Sequence, residues 1–145
     1  MADPDAPLLS YIIGRLDRAI RNRLTEILAP FDLSIPQFTT LSVLKRRPGL
    51  SNAQLARRAL ILPQSMIQVI AALEARELVE RAPDPSHNRI LQTRLTASGL
   101  ALVQRAEAAT RQFESELIAA IGDEDGATRA ITTMQAWLET LRSDR

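Results

Sequence analysis

Gln64, Ser65, Ile67 and Gln68 lie in a stretch, Pro63 to Leu73, that contains no charged residue. At about 100° per residue the surrounding pattern is that of an amphipathic helix. Leu62, Met66, Val69, Ile70 and Leu73 share one face and are read as core. Gln64, Gln68, Ala71 and Ala75 fall opposite, with Ile67 at their edge. A face that only meets water usually carries Lys and Glu, whereas this one carries two amides and small methyls. Small methyls let a helix settle close to the floor of a major groove. A glutamine there can pair in bidentate fashion with adenine N6 and N7, and Ile67 or Ala71 can touch a thymine methyl. Ser65 sits near the helix start, where a hydroxyl and free amides suit a phosphate. The alternative is that both glutamines simply face water.

The helix has no Lys or Arg before Arg76, so phosphate contacts must come from elsewhere. Lys45, Arg46, Arg47, Arg57, Arg58, Arg81, Arg89 and Arg94 are the available cations. Arg57 and Arg58 follow the core residues of a short helix, so at least one faces outward. Arg76 and Arg81 stand among Glu74, Glu77 and Glu80 and are read as structural ion pairs. Arg89 closes a hairpin tip and would project with it, and the negative potential of a narrow minor groove draws arginine. A salt bridge from Arg89 to Asp84 would instead stiffen the tip. The candidate nucleic-acid set is Ser51, Arg57, Pro63, Gln64, Ser65, Ile67, Gln68, His87 and Arg89.

These residues need elements to hold them. A helix over 8–29 carries Leu9, Ile12, Ile13, Leu16, Ile20, Leu24 and Ile27 at helical spacing and ends at Pro30. Ser34 and Ser51 each open a helix with Ser-x-x-Gln, the capping-box pattern, to Gln37 and Gln54. Pro36 falls in a first turn, Pro48-Gly49 is a break, and Pro63 suits the first position of the fourth helix, which runs to about Arg76. Strands are read at 78–82 and 90–95, with 83–88 as the tip. Thr96 caps a long helix that Gly122 stops, and Asp123 caps a last one. The order α-α-α-α-β-β-α-α gives a mainly α fold with one β-hairpin, a winged helix-turn-helix flanked by long terminal helices. The apolar stripes of those helices need a second surface, and another copy of the chain is the simplest one.

Composition narrows the function. The 145 residues suffice for one domain with a real core. With no cysteine, thiol catalysis, disulfides and thiolate metal sites are excluded. A single histidine cannot build a multi-histidine zinc site, and no Ser-His-acid set or phosphate loop is present, so no catalysis, cofactor or metal is expected. No membrane span or signal peptide is read, and the expected location is cytoplasmic. The net charge of +1 hides an asymmetry. Residues 34–96 hold nine Lys or Arg against four acids, while the rest holds nine Arg against thirteen acids. A basic centre between acidic flanks suits a polyanion. A winged-helix module that binds protein rather than DNA is the alternative, and salt dependence separates the two.

The ordered set of motifs resembles the multiple antibiotic resistance regulator (MarR) family of bacterial transcription factors over nearly the whole chain. The resemblance is carried by Leu33-Ser34-Ile35-Pro36-Gln37-Phe38, Pro48-Gly49-Leu50-Ser51, Leu55-Ala56, Gln64-Ser65, the run Leu73 to Arg81, Asp84-Pro85, Arg89, and Leu95-Thr96-Ala97-Ser98-Gly99. It implies a single domain over 1–145, with dimerisation helices at 8–29 and 97–142 and a DNA-binding lobe at 34–96. It also implies a homodimer on a pseudo-palindromic double-stranded operator, a repressor released by a small aromatic or phenolic effector. The wing departs from the family pattern: where Asp-x-Arg is usual, this chain has His87-Asn88-Arg89. Asp84 is then the substitute brace for Arg89, or His87 touches phosphate and makes the contact pH-sensitive.

Overall fold

The computed structural model describes residues 6–143. The elements run α1 (Leu9–Leu28), a 3-10 turn (Ala29–Phe31), α2 (Ile35–Arg46), α3 (Asn52–Ala59), α4 (Pro63–Ala75), β1 (Val79–Asp84), β2 (His87–Leu95), α5 (Ala97–Ile121) and α6 (Glu124–Ser143). They fall into two compact units that divide within α5, one ending at Ala108 and the other starting at Ala109.

In the first unit both capping boxes form. Ser34 Oγ accepts from the Gln37 amide at 3.3 Å while Gln37 Oε1 accepts from the Ser34 amide at 3.0 Å. Ser51 and Gln54 repeat the exchange at 3.2 and 2.9 Å. Each box satisfies two donors that a helix start otherwise leaves open. One apolar core then ties the lobe together: Leu28 from α1, Leu41 and Leu44 from α2, Leu55 and Ala59 from α3, Met66, Ile70 and Leu73 from α4, and Val103 and Ala106 from α5.

Leu62 does not join that core, contrary to the periodicity reading, and is 73% exposed. It is the N-cap residue, with extended φ and ψ of −62° and 141°. The helical wheel therefore does not apply to its side chain.

The wing is longer and its tip tighter than expected. Val79 pairs with Leu95, Arg81 with Thr93 and Pro83 with Leu91, and only Pro85 and Ser86 separate the strands. Pro83 is tolerated in β1 because an edge strand needs no donor there. A third segment joins: the Thr93 amide donates to Leu50 O at 2.8 Å, fastening β2 beside the start of α3. Thr96 secures the far end of the hairpin. Its hydroxyl donates to Glu77 O at 2.7 Å and accepts from the Gly99 amide at 3.0 Å. That closes the α4–β1 turn and caps α5 with one side chain.

The second unit holds the end of α5 and all of α6, with Phe113 and Ala127 buried. Gly122, at φ +90°, ends α5 in a backbone region that side chains disfavour. Asp123 Oδ1 then accepts from the Gly126 amide to cap α6.

Candidate nucleic-acid interface

The exposed face of α4 is the one the sequence pattern marks. Gln64, Ser65, Ile67, Gln68, Ala71 and Ala75 are exposed, while Met66, Ile70 and Leu73 on the other side are buried. Pro63, also exposed, is the first helical residue and brings no amide hydrogen. Met66 N closes the first helical bond onto Leu62 O at 2.9 Å. That leaves the Gln64 and Ser65 amides at the open helix end, beside the Ser65 hydroxyl.

The start of α3 sits against this end. Asn52 Nδ2 donates to Pro63 O at 3.4 Å, which places Ser51 and its neighbours next to the beginning of α4. The Ser51 hydroxyl accepts within its capping box and still has a proton to donate outward. Arg57 and Arg58 are both exposed in the last turn of α3. Ser51, Pro63, Gln64, Ser65, Ile67 and Gln68 thus form one contiguous corner, with Arg57 farther along the same short helix.

The wing carries the remaining two candidates. His87 pairs across the strands with Asp84, and the next pairing is Pro83 with Leu91. Asn88, Arg89 and Ile90 therefore have no opposite residues and form a bulge. Bulges bend a strand and re-aim side chains, and this one presents Arg89 as an exposed residue near the tip. The expected Asp84 brace is not formed. Asp84 Oδ1 instead accepts from the Ser86 amide at 2.7 Å and shapes the turn. Leu50 and Thr93 tie β2 to the start of α3, and Arg81 ties β1 to Glu74 at the end of α4.

Several other cations are already engaged. Lys45 forms an ion pair with Glu107, a largely buried carboxylate, and is not available to a phosphate while that pair stands. Arg81 pairs with Glu74 at 2.6 Å, as the sequence suggested. Arg76 does not pair with a neighbouring acid; it donates to Asp32 O at 2.6 Å and Phe31 O at 3.3 Å. Arg105 from α5 lies over the Phe31 ring at 5.6 Å. Arg76 and Arg105 thus hold the 3-10 turn between the end of α4 and α5. Neither role leaves a local signal in the sequence: the partners of Arg76 stand 44 and 45 residues away, and Phe31 is farther still from Arg105.

Among the described residues, no cluster of His, Asp or Glu is arranged to hold a metal ion. Nor is any single helix long and apolar enough to cross a membrane.

Comparison with known proteins gives this geometry a family. The MarR family model matches residues 31–90, from the 3-10 turn to the wing. HTH-type transcriptional repressor Rv2887 of Mycobacterium tuberculosis is 40% identical over 115 residues, 79% of this chain and 82% of that protein. The chain belongs to the MarR family. Solved structures of the same M. tuberculosis MarR protein agree in fold. Its complex with DNA has a TM-score of 0.70 at 34% identity, covering 92% of this chain and 98% of that one. Its complex with salicylic acid has a TM-score of 0.69 at 35% identity, with the same coverage. The fold is the winged helix of this family of transcription regulators.

Proposed function

We propose that this chain is a cytoplasmic, homodimeric transcriptional repressor, without catalytic activity, that binds a pseudo-palindromic duplex and is released by a small aromatic acid. The observation that carries this reading is the exposed α4 face, with its two amides and uncharged surface beside the Ser51 corner. Its relative Rv2887, a repressor crystallised with DNA, supports the same reading. Gln64 and Gln68 pair with base edges, Ser51, Ser65 and Arg57 hold phosphates, and Arg89 enters the adjacent minor groove with His87 near the backbone. In a dimer, two α4 helices about 34 Å apart reach successive major grooves.

The lobe at 34–96 makes these contacts, and the terminal helices over 8–29 and 97–142 make the dimer. Leu9, Tyr11, Ile12, Ile13 and Leu16 are exposed on α1, as are Ile131, Met134, Trp137, Leu138 and Leu141 on α6. A hollow of about 700 Å³ runs along α1, lined by residues of that helix including Tyr11, Gly14, Arg15 and Arg18. A hollow lined by one helix is an uncovered face rather than a ligand chamber, and such a face suits a second copy.

The effector suits another place. A cleft of about 310 Å³ lies between the end of α2, the base of the wing and the start of α5. Leu44, Pro48, Leu95 and Leu100 supply apolar wall, and Arg94 supplies positive charge, Lys45 being paired with Glu107. An aromatic carboxylate matches both. Bound preferentially to a dimer with altered lobe spacing, it weakens DNA binding by its differential affinity.

Fluorescence anisotropy on short duplexes across a salt series tests this reading. Affinity should fall steeply as salt rises, and salicylate should weaken it further at fixed salt. Absence of binding to any duplex at low ionic strength overturns the function. Binding that ignores salicylate removes only that effector.

A further inference from the structure

We propose that Ile67 is a specificity-determining residue that selects thymine in each half-site by contact with its 5-methyl group. This rests on the DNA-binding reading above and goes beyond it by naming the base that α4 prefers and the group it detects.

Two rows of side chains run along the exposed face of α4. Pro63, Ile67, Ala71 and Ala75, four residues apart, form an apolar ridge; Gln64, Gln68 and Ala72 form the row beside it. Every one of these residues is exposed. Ile67 is the one large aliphatic side chain in the two rows, and it is 60% exposed while Met66 and Ile70 on either side are buried. It is not among the residues that build the apolar core. Isoleucine is also a poor choice for a wet helix surface, being branched at Cβ and apolar to its tip.

Stiffness becomes an advantage if the side chain must meet a small target. A β-branched side chain has little rotamer freedom left to lose on contact. Thymine is the one ordinary base that shows a methyl group in the major groove; cytosine carries only a hydrogen at that carbon. The contact thus favours thymine by burying a methyl that cytosine does not have. The adjacent amide row suits adenine, so both rows point to A·T pairs. Four residues of helix rise about 6 Å, nearly two base-pair steps of about 3.4 Å. Ala71 then falls about two steps from the thymine under Ile67, where its smaller methyl contributes less. No charged side chain lies between Pro63 and Leu73 to compete for that surface.

The test uses the tightest duplex that the wild-type protein selects from a random library, with its thymines replaced by deoxyuridine one symmetric pair at a time. That change removes the methyl and keeps the base pairing. At one pair of positions wild-type affinity should fall about fourfold per methyl, or about fifteenfold with both half-sites altered. Ile67→Ala should bind the thymine duplex more weakly by a similar factor and lose nothing further on the deoxyuridine duplex. Ile67→Val should keep most of the discrimination, and Gln64→Ala should keep all of it. The proposal fails if wild type is indifferent to deoxyuridine at every position, or if Ile67→Ala retains the full penalty. A selection that recovers no duplex overturns the DNA-binding reading, and this proposal with it. A duplex bound equally with and without its methyls overturns this proposal alone and leaves Ile67 free to meet a protein partner.

Discussion

Gly99→Ala should destabilise the protein, because the start of α5 is packed against backbone. A Cβ built on Gly99 would stand 1.9 Å from Leu78 O and 2.9 Å from Leu78 C. No side chain can swing away to relieve this; α5 or the β1 entry must move by about 1 Å, an overpacking cost of about 1–3 kcal/mol. Leu78 O is also the acceptor for the Thr96 amide at 3.1 Å. Separation therefore strains the cap that closes the wing, a loss of about 1 kcal/mol. Alanine's better helix propensity returns up to about 1 kcal/mol. The net loss is about 1–3 kcal/mol, and a chain of this length then melts roughly 3–10 °C lower. Circular dichroism at 222 nm, at one protein concentration because the dimer is linked to stability, measures it. A melting temperature equal to or above wild type refutes the close approach.

Arg89→Ala should weaken operator binding, lower the salt slope by about one ion and leave the dimer intact; native mass spectrometry showing mostly monomer would contradict a wing role. His87→Gln should weaken operator binding modestly at unchanged melting temperature; unchanged affinity removes the contact at the wing tip. Ser51→Ala removes a cap and should cost about 1 kcal/mol in urea unfolding, besides weakening DNA binding; unchanged stability would contradict the capping box.

Local chemistry was legible in the chain, and distant partners were not. Ser34 with Gln37 and Ser51 with Gln54 announce their caps because donor and acceptor lie three residues apart. The split of α4 into a buried row and an exposed row follows from its period. Leu62 fails that rule because it precedes the helix and keeps an extended backbone. The wing tip was misjudged for a similar reason: proline and aspartate read as loop, yet Pro83 and Asp84 are in β1 and the irregularity falls on the opposite strand as a bulge. That bulge presents Arg89, and composition gives no sign of it. Lys45 looked like a phosphate ligand because its partner, Glu107, stands 62 positions away. Arg76 turned to the carbonyls of Phe31 and Asp32 rather than to the acids beside it. Pairings of that kind depend on how helices pack, which the spacing of charges along the chain does not encode.

A symmetric dimer on DNA recruits two chains to one duplex. Sedimentation of the complex on the selected duplex, read with its hydroxyl-radical footprint, should show two chains per DNA. The protected halves should be related by symmetry and centred about one helical turn apart, roughly 34 Å. A single chain per duplex, or protection confined to one unrepeated stretch, would contradict it.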